Sequence, residues 1–385
     1  MNDKNFDDVI VGAGIAGLAL AESLAKRGRK VLVVEKDTSP QGASIRNFGM
    51  IWPIGQPAGP ALQQALRARE IWLELLAVTG IWHDAESGSL HLAFADDEAA
   101  VLREFAAAAP DLGYHVQWLD PADVRTWSPR VQPENLRGGL WSGTEIAVDP
   151  RQVAALLPRW LERVRKVHFL WGIPVTDCSP PAIRSGTEIL ASCDRAWICP
   201  GVDLLPLAGI AAQEARFTRC KLQMMRTSPL PRAERIGPML AGGLTLRHYP
   251  SFGICPSLEH LRGRLARDFP QYEQLGIHVM VSQTQEGELT IGDSHEYDAA
   301  ISPFDSAEIE RLILDYLARM FDLADAPIAS RWSGQYLKML EGAELVRELA
   351  PRAVLLTGLG GAGMTRAFAV AEDLVARVLD QGMLA

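Results

Sequence analysis

The sequence predicts an α/β protein whose core is a doubly wound, Rossmann-like dinucleotide-binding domain. Three observations point there. Residues 8–35 read as strand, glycine-rich turn, helix, strand, acid. Residues 353–380 give a second strand, glycine-rich turn and helix at the opposite end of the chain. The 385 residues are 48% hydrophobic and 22% charged, an ordinary globular mix with material for two domains or one large composite one.

The N-terminal unit carries the most specific signal. Val9, Ile10 and Val11 form a β-branched apolar run suited to a buried parallel strand. Gly12-Ala13-Gly14-Ile15-Ala16-Gly17 follows. In such a turn Gly12 permits the tight bend, Gly14 lets the backbone approach a pyrophosphate, and Gly17 lets helix and strand pack closely. The helix at 18–26 ends at Gly28, and its N-terminal N–H groups and positive dipole end suit a diphosphate. The second strand, 31–34, stops at Glu35, about 20 positions beyond the first glycine, where an acid bonds ribose hydroxyls. A carboxylate there repels a 2′-phosphate, so the ligand is FAD or NAD rather than NADP.

Composition excludes several classes. The net charge is −9 without a Lys/Arg-rich block, which argues against nucleic acid or an anionic membrane as partner. Five cysteines, an odd number with no CxxC pair, fit a reduced cytosolic protein. The apolar stretch 9–25 is interrupted by Glu22 and is explained by the dinucleotide pattern, so no targeting or membrane segment is read and the cytoplasm is expected. No P-loop, nucleophile elbow or HExxH is present. The eight histidines are scattered and no Cys/His group has metal-ligand spacing, so no metal is expected.

After Glu35 a polar turn at 36–42 leads into Ala43-Ser44-Ile45-Arg46-Asn47-Phe48-Gly49-Met50. Small residues, one guanidinium and an amide directly behind the first βαβ unit can fold back across a pyrophosphate and a flavin ring. The chain then runs Met50-Ile51-Trp52-Pro53-Ile54, too apolar for exposure.

The first βαβ unit with Ser-x-Arg-Asn-x-Gly resembles the D-amino-acid-oxidase-like flavoenzymes, the group with glycine oxidase and sarcosine oxidase. The full phrase from Arg46 to Gln56 is similar to the branch of that group associated with aminophosphonate breakdown. The resemblance implies an FAD domain assembled from separated segments, 1–80, 145–210 and 325–385. An α+β substrate domain on a mixed sheet, 81–144 and 211–324, is inserted between them.

The remaining elements follow in order. A 3.6-residue apolar period predicts a helix over 61–79, and alternation predicts a strand over 89–94. Residues 96–109 are an Ala-rich helix stopped by Pro110, and Asp120-Pro121 opens a short helix. Residues 138–141 form a short strand, and Asp149 caps a helix over 151–163. Strands are read at 167–175, 194–200, 217–227 and 244–251, with a helix at 258–265. Residues 278–282 and 288–292 bracket Gln285-Glu286-Gly287 as a hairpin. A helix over 308–320, capped by Asp305 or Ser306, completes this region, which the resemblance makes the roof over the flavin. Finally the strand 353–357 runs into Gly358-Leu359-Gly360-Gly361-Ala362-Gly363-Met364-Thr365, with a helix over 367–380. That second glycine-rich unit is similar to the closing segment of the same flavoenzymes, and a simple NAD dehydrogenase does not need it.

Motif and resemblance together assign the cofactor FAD to Gly12, Gly14, Ile15, Ala16, Gly17, Glu35, Lys36, Ser44, Arg46, Asn47, Phe48 and Gly49. Val175, Cys199, Gly201, Gly334, Gly361, Ala362, Gly363, Met364 and Thr365 complete that set. Some relatives attach FAD through a cysteine in the stretch matching 331–340; none stands here, so the FAD is expected to be noncovalent. The candidate substrate groups are Arg46, His248, Tyr249, Tyr336, Lys338 and Arg366, with Arg247 alongside. No catalytic acid–base residue is assigned. The resemblance implies oxidation of the C–N bond of a small anionic amine, with an aminophosphonate favoured, by hydride transfer to flavin N5 and imine hydrolysis to an aldehyde. The alternatives are a glycine- or sarcosine-type amino-acid oxidase, or a flavoprotein that does not act on amines: a hydroxy-acid dehydrogenase or a redox sensor. The sarcosine-oxidase lysine that assists oxygen is replaced near Thr290, which leaves oxygen or another carrier as electron acceptor.

Overall fold

The opening strand, Asn5–Val11, lies inside a seven-stranded sheet and sets its polarity. Parallel neighbours are Glu188–Ile198 on one side and Val31–Glu35 on the other, extended by Ala353–Thr357 and His168–Trp171. Leu345–Ala350 and Ala182–Ser185 add antiparallel edges. The computed structural model describes residues 4–204, 207, 216–230, 234–298, 301–323 and 326–382. Because strand side chains alternate, Ile10 and Val33 face the helices Ile15–Lys26 and Gly363–Asp380, while Val9, Val11, Leu32 and Val34 face the opposite layer. Trp72, from the helix Pro60–Thr79, meets Phe368 edge-on at 4.9 Å and fills the helical side of that core.

A nine-stranded sheet forms the second layer. Its order is Glu296–Asp298, Phe217–Thr227, Leu289–Gly292, Met280–Gln283, Met239–Ala241, Ser89–Ala93, Gly138–Ser142 and Val116–Leu119, with Ile328–Met339 also on Phe217–Thr227. Every pair is antiparallel except Met239–Ala241 with Ser89–Ala93, so the sheet is mixed. Helices Asp96–Ala108, Leu258–Asp268 and Ala307–Met320 bury Phe105, Leu261 and Ile313 against it. A small sheet of Met50–Ile51, Ile146–Val148 and His83–Asp84 sits at the crossing between the segments. This is the expected architecture, a doubly wound sheet with an α+β unit on a mixed sheet. Among the described residues no helix is long and apolar enough to cross a membrane.

Several elements differ from the sequence reading. Residues 244–251 are not a strand. They hold the 3-10 turn Gly243–Thr245, where the Thr245 hydroxyl donates to Gly242 O at 2.6 Å, and the start of a second, Pro250–Ile254. The strand expected over 167–175 ends at Trp171. The closing helix begins at Gly363, four residues earlier than expected. Asp149 does cap its helix, accepting from Arg151 N at 2.9 Å, whereas the Asp120 carboxylate accepts from Trp118 Nε1 instead of capping. For the proposed domain division two facts matter. Strand Ile328–Met339 belongs by hydrogen bonding to the second sheet although it falls in the 325–385 segment. The boundaries at 210 and 324 adjoin residues that lie outside the described ones.

Candidate functional site

Glycine geometry at the first turn is dictated by close approach. Gly12 has φ +105, and a Cβ on it would lie 2.3 Å from Cys199 O. The peptide after Ile198 therefore packs on the turn, and Cys199 N donates to Val11 O at 2.8 Å. The Cys199 thiol is buried and pushed up to about 12 by that burial, so it is a small hydrophobe rather than a reactive group. Glu35 is buried at the end of its strand. One carboxylate oxygen accepts from Ala13 N at 2.7 Å and the other from Asp37 N at 3.1 Å. Each oxygen keeps a lone pair for a further donor. Lys36, the next residue, has its side chain in an exposed ion pair with Asp203.

The 43–49 loop folds back as its composition suggests. Ser44 Oγ accepts from Ile15 N at 2.8 Å, placing a hydroxyl oxygen at the helix N-terminus where an anion is favoured. Asn47 ties the loop to itself, donating to Ala43 O and Ser44 O and accepting from Gly49 N at 2.8 Å. Ser282 of the second sheet donates to Phe48 O at 2.6 Å. Arg46 is exposed and its Nη1 donates to Ser333 O at 3.0 Å; a Cβ on the adjacent Gly334 would come within 3.2 Å of Arg46 O.

The C-terminal glycine unit meets the first one. A Cβ on Gly363 would lie 3.6 Å from Ile15 Cγ2, so the two helices start side by side. Thr365 Oγ1 accepts from Trp52 N at 2.9 Å and Met364 O from Trp72 Nε1 at 2.8 Å, pinning the 50–56 phrase to this helix. Thr357 Oγ1 donates to Gly201 O at 3.1 Å. The turn Gly360–Ala362 runs below Tyr336, whose hydroxyl would be 3.4 Å from a Gly361 Cβ. Val175 is buried with Val11, Val34 and Ile198 on the far face of the sheet. These positions fit FAD: a buried acid for the ribose, a side-chain-free approach at Gly14 toward Ser44, and two converging helix starts.

Two results bear on that cofactor. Glu35→Ala is expected to weaken FAD binding roughly 10- to 100-fold, the worth of a charged hydrogen bond of about 1.5–3 kcal/mol. It also strands the Ala13 N–H, so the melting temperature falls, whereas Glu35→Gln keeps an acceptor there. Titration of apoprotein by flavin fluorescence checks both; an unchanged affinity for both variants removes Glu35 from the ribose. The second concerns attachment. Cys220 stands opposite Tyr336 in the strand register, a nearness that the spacing along the chain hides. Burial pushes its thiol up to about 12, so it stays protonated and a poor nucleophile. Acid precipitation is expected to leave a colourless pellet and FAD in solution. A yellow pellet that Cys220→Ser decolourises overturns the noncovalent reading.

Of the candidate substrate groups the fold gathers four. Tyr336 lies 6.4 Å from His295 between ring centroids, and His295 lies 4.8 Å from His248. Tyr249 follows His248, packs on Trp52 and donates to Met280 Sδ at 3.2 Å. Lys338 Nζ donates to Tyr297 Oη at 3.3 Å. Arg366 is elsewhere: it is buried and donates to Gln64, Ala343 O and Glu344. Arg247 is likewise held, by Glu273, Tyr272 O and Ile277 O. Near Thr290, Arg226 donates to the threonine Oγ1 at 3.2 Å. Sequence reasoning missed one group entirely. His248, His278 and His295 are not scattered in space: their rings are 3.9, 4.8 and 4.4 Å apart, with Asp293 beside them. They line a cavity of about 430 Å³ with Arg247, Arg262 and Tyr297. Burial pushes the Asp293 carboxyl up to about 6 and the His278 imidazole down to about 3.

Comparison with known proteins agrees with this geometry. The glycine oxidase of Geobacillus kaustophilus is 31% identical over 159 residues, 40% of this chain and 42% of that protein. A subunit of the anaerobic glycerol-3-phosphate dehydrogenase of Escherichia coli K12 is 28% identical over 156 residues, 40% of this chain and 28% of that one. The aligned stretches thus span less than half the length of these relatives. Among solved structures, L-proline dehydrogenase from P. horikoshii superposes with a TM-score of 0.78 at 19% identity, covering 99% of this chain and 95% of that one. Glycine oxidase from Bacillus cereus superposes with a TM-score of 0.78 at 17% identity, covering 98% and 96%. A family model described as FAD dependent oxidoreductase matches residues 7–377, the span from the first strand to the closing helix, and the chain belongs to that family.

Proposed function

We propose that the protein oxidises the C–N bond of a small amine that carries an anionic group. The observation that carries this reading is the strand Ile328–Met339. It sets Tyr336 over the closing glycine turn and receives Arg46 on Ser333, so one strand holds a phenol at that turn and, three residues before it, an exposed cation. Bound FAD supplies the two-electron acceptor for the substrate's hydride. The imine left behind takes up water and releases a carbonyl compound and ammonia or an amine. What the chain contributes is binding and charge. Burial holds His248, His278 and His295 well below the usual imidazole range, so at neutral pH they are uncharged. Arg247 and Arg366 have carboxylate partners. Of the four candidate cations, Arg46 and Lys338 have no carboxylate partner among the described residues, and both are exposed.

The similarity to glycine oxidase favours an amino acid as that substrate, and iminodiacetate oxidase and L-amino acid deaminase share the fold. A second reading, an aminophosphonate, rests on the Arg46–Gln56 phrase and on the spread of donors, since a tetrahedral phosphonate accepts from several directions whereas a carboxylate suits one bidentate Arg. The test is anaerobic bleaching of the flavin by a panel: glycine, sarcosine, other amino acids, 2-aminoethylphosphonate with its N-methyl and hydroxylated analogues, and glycerol 3-phosphate. Reduction by an amine is expected. If glycine or sarcosine bleaches and every aminophosphonate fails, the phosphonate reading is wrong. Reduction by glycerol 3-phosphate alone removes the amine reading. Arg46→Ala is expected to raise KM with FAD retained; loss of FAD moves Arg46 to the cofactor. The electron acceptor, oxygen or another carrier, is read by repeating the active substrates in air.

A further inference from the structure

We propose that His248, His278 and His295 form a site for one zinc-type divalent cation, with Asp293 as their carboxylate partner and the fourth position open to the adjoining cavity. The site is made by the fold. His278 precedes strand Met280–Gln283 and Asp293 follows Leu289–Gly292; the hairpin pairs them through two backbone hydrogen bonds, His278 N to Asp293 O at 3.0 Å and Asp293 N to His278 O at 2.8 Å. His295 is therefore on the same rim, and the turn Gly243–Thr245 delivers His248 to it.

The donor atoms are already assembled. One ring nitrogen of each histidine lies within 4.8 Å of the others. A tetrahedral zinc bound at about 2.0–2.1 Å sets its nitrogens about 3.3 Å apart, so rotations moving each donor by roughly 1 Å close the site. Two buried atoms at the cluster lack a hydrogen-bond partner. His295 Nδ1 and Asp293 Oδ1 are buried and make no hydrogen bond within the described residues. Buried polar atoms of that kind are normally satisfied. Asp293 Oδ1 lies 3.5 Å from His278 Nδ1 and 3.8 Å from His295 Nδ1, the place of the carboxylate that orients metal-bound imidazoles.

The donor set selects the metal. Three imidazoles suit zinc, nickel, cobalt or copper, whereas magnesium and calcium require oxygen. All three histidines line the cavity, and His248 is the half-buried one. Arg247 and Lys338 are the cations that act on these histidines, and Glu273 partners Arg247. The fourth position can hold water or an anion, independently of what the flavin site oxidises.

The test uses the flavin-loaded protein, stripped with a chelator and titrated with Zn2+ by calorimetry and with Co2+ by absorption at wavelengths beyond the flavin bands. Saturation at one metal per chain with micromolar or tighter affinity is expected, together with the ligand-field band of a tetrahedral cobalt site. His248→Gln and His278→Ala should each weaken Zn2+ at least tenfold, and His83→Gln, remote from the site, should not. Should His278→Ala fail to fold, the half-buried His248→Gln carries the comparison, its flavin spectrum certifying the fold. Binding below one metal per chain, or Zn2+ affinity unchanged in His248→Gln, overturns the site.

Discussion

Gly17→Ala is expected to abolish FAD retention and to lower stability by about 3 kcal/mol or more, at the upper end of overpacking costs. A Cβ on Gly17 would lie 1.9 Å from Gly12 O, 3.1 Å from Gly12 C and 3.3 Å from Ile10 Cγ2. The two closest obstacles are backbone and the third is the buried Ile10 side chain, so no side-chain rotation relieves the clash. The helix Ile15–Lys26 must lift off the sheet, and the N–H groups at its start move with it. Ser44 and Gly363 contact that start, so both glycine units lose their alignment. Gly263→Ala is the control. It lies within the helix Leu258–Asp268, where a Cβ meets only Arg267 Nη1 at 3.9 Å. Alanine is the better helix former, so the control is expected to gain up to about 1 kcal/mol. Released flavin after gel filtration and the melting temperature measure both. Retention of FAD by Gly17→Ala at wild-type levels would mean that the first turn does not hold the pyrophosphate.

This contrast shows why the first unit was legible and other parts were not. Residues 8–35 encode their structure within one short stretch: the β-branched run, the glycines and Glu35 each answer a local demand, and Glu35 returns to bond Ala13 N. The hairpin at 285–287 and the cap at Asp149 are local in the same way. Residues 244–251 are strand-like in sequence, yet Gly242 and Gly243 with the Thr245 hydroxyl close a turn and Pro250 opens another. Strand Ile328–Met339 is hard to read because only Gly334 and Leu337 in it are buried, without a clean alternation, and its partner Phe217–Thr227 is remote in sequence. Its pairing is what sets Cys220 against Tyr336 and Gly334 against Leu222.

The histidine cluster fails for the same reason carried further. His248, His278 and His295 have no motif spacing, and only the hairpin register and a 3-10 turn join them. Likewise a count of cations cannot tell Arg366, held by Gln64 and Glu344, from Arg46, which stays exposed. Partner geometry decides which charge is available, and that is a property of the packed chain.

Acidification is expected to destabilise the protein through His91, and His91→Leu to remove that sensitivity. His91 is fully buried in strand Ser89–Ala93, between Trp52 at 5.5 Å and Phe252 at 5.2 Å. Neither ring nitrogen has a hydrogen-bond partner within the described residues, and burial alone pushes the imidazole down from 6.5 to about 3. No charged side chain contributes to that shift. The sign follows from proton counting. Between pH 6.5 and 3 the unfolded chain binds a proton at this position and the folded chain does not, so stability falls as pH falls. Each pH unit in that window costs about 1.4 kcal/mol, hence about 2 kcal/mol at pH 5 relative to neutral pH. Above 6.5 both states are neutral and the contribution is flat. Leucine has a similar volume and no polar atom, so the variant also escapes the cost of two unsatisfied nitrogens, about 1–3 kcal/mol each at most. It should melt higher at pH 7.5, and its denaturant-derived stability should fall less steeply toward pH 5, by about 1.4 kcal/mol per unit. Parallel pH profiles for the two proteins would show that His91 titrates normally in the folded state. A lower melting temperature for the variant at pH 7.5 would show that its nitrogens have partners.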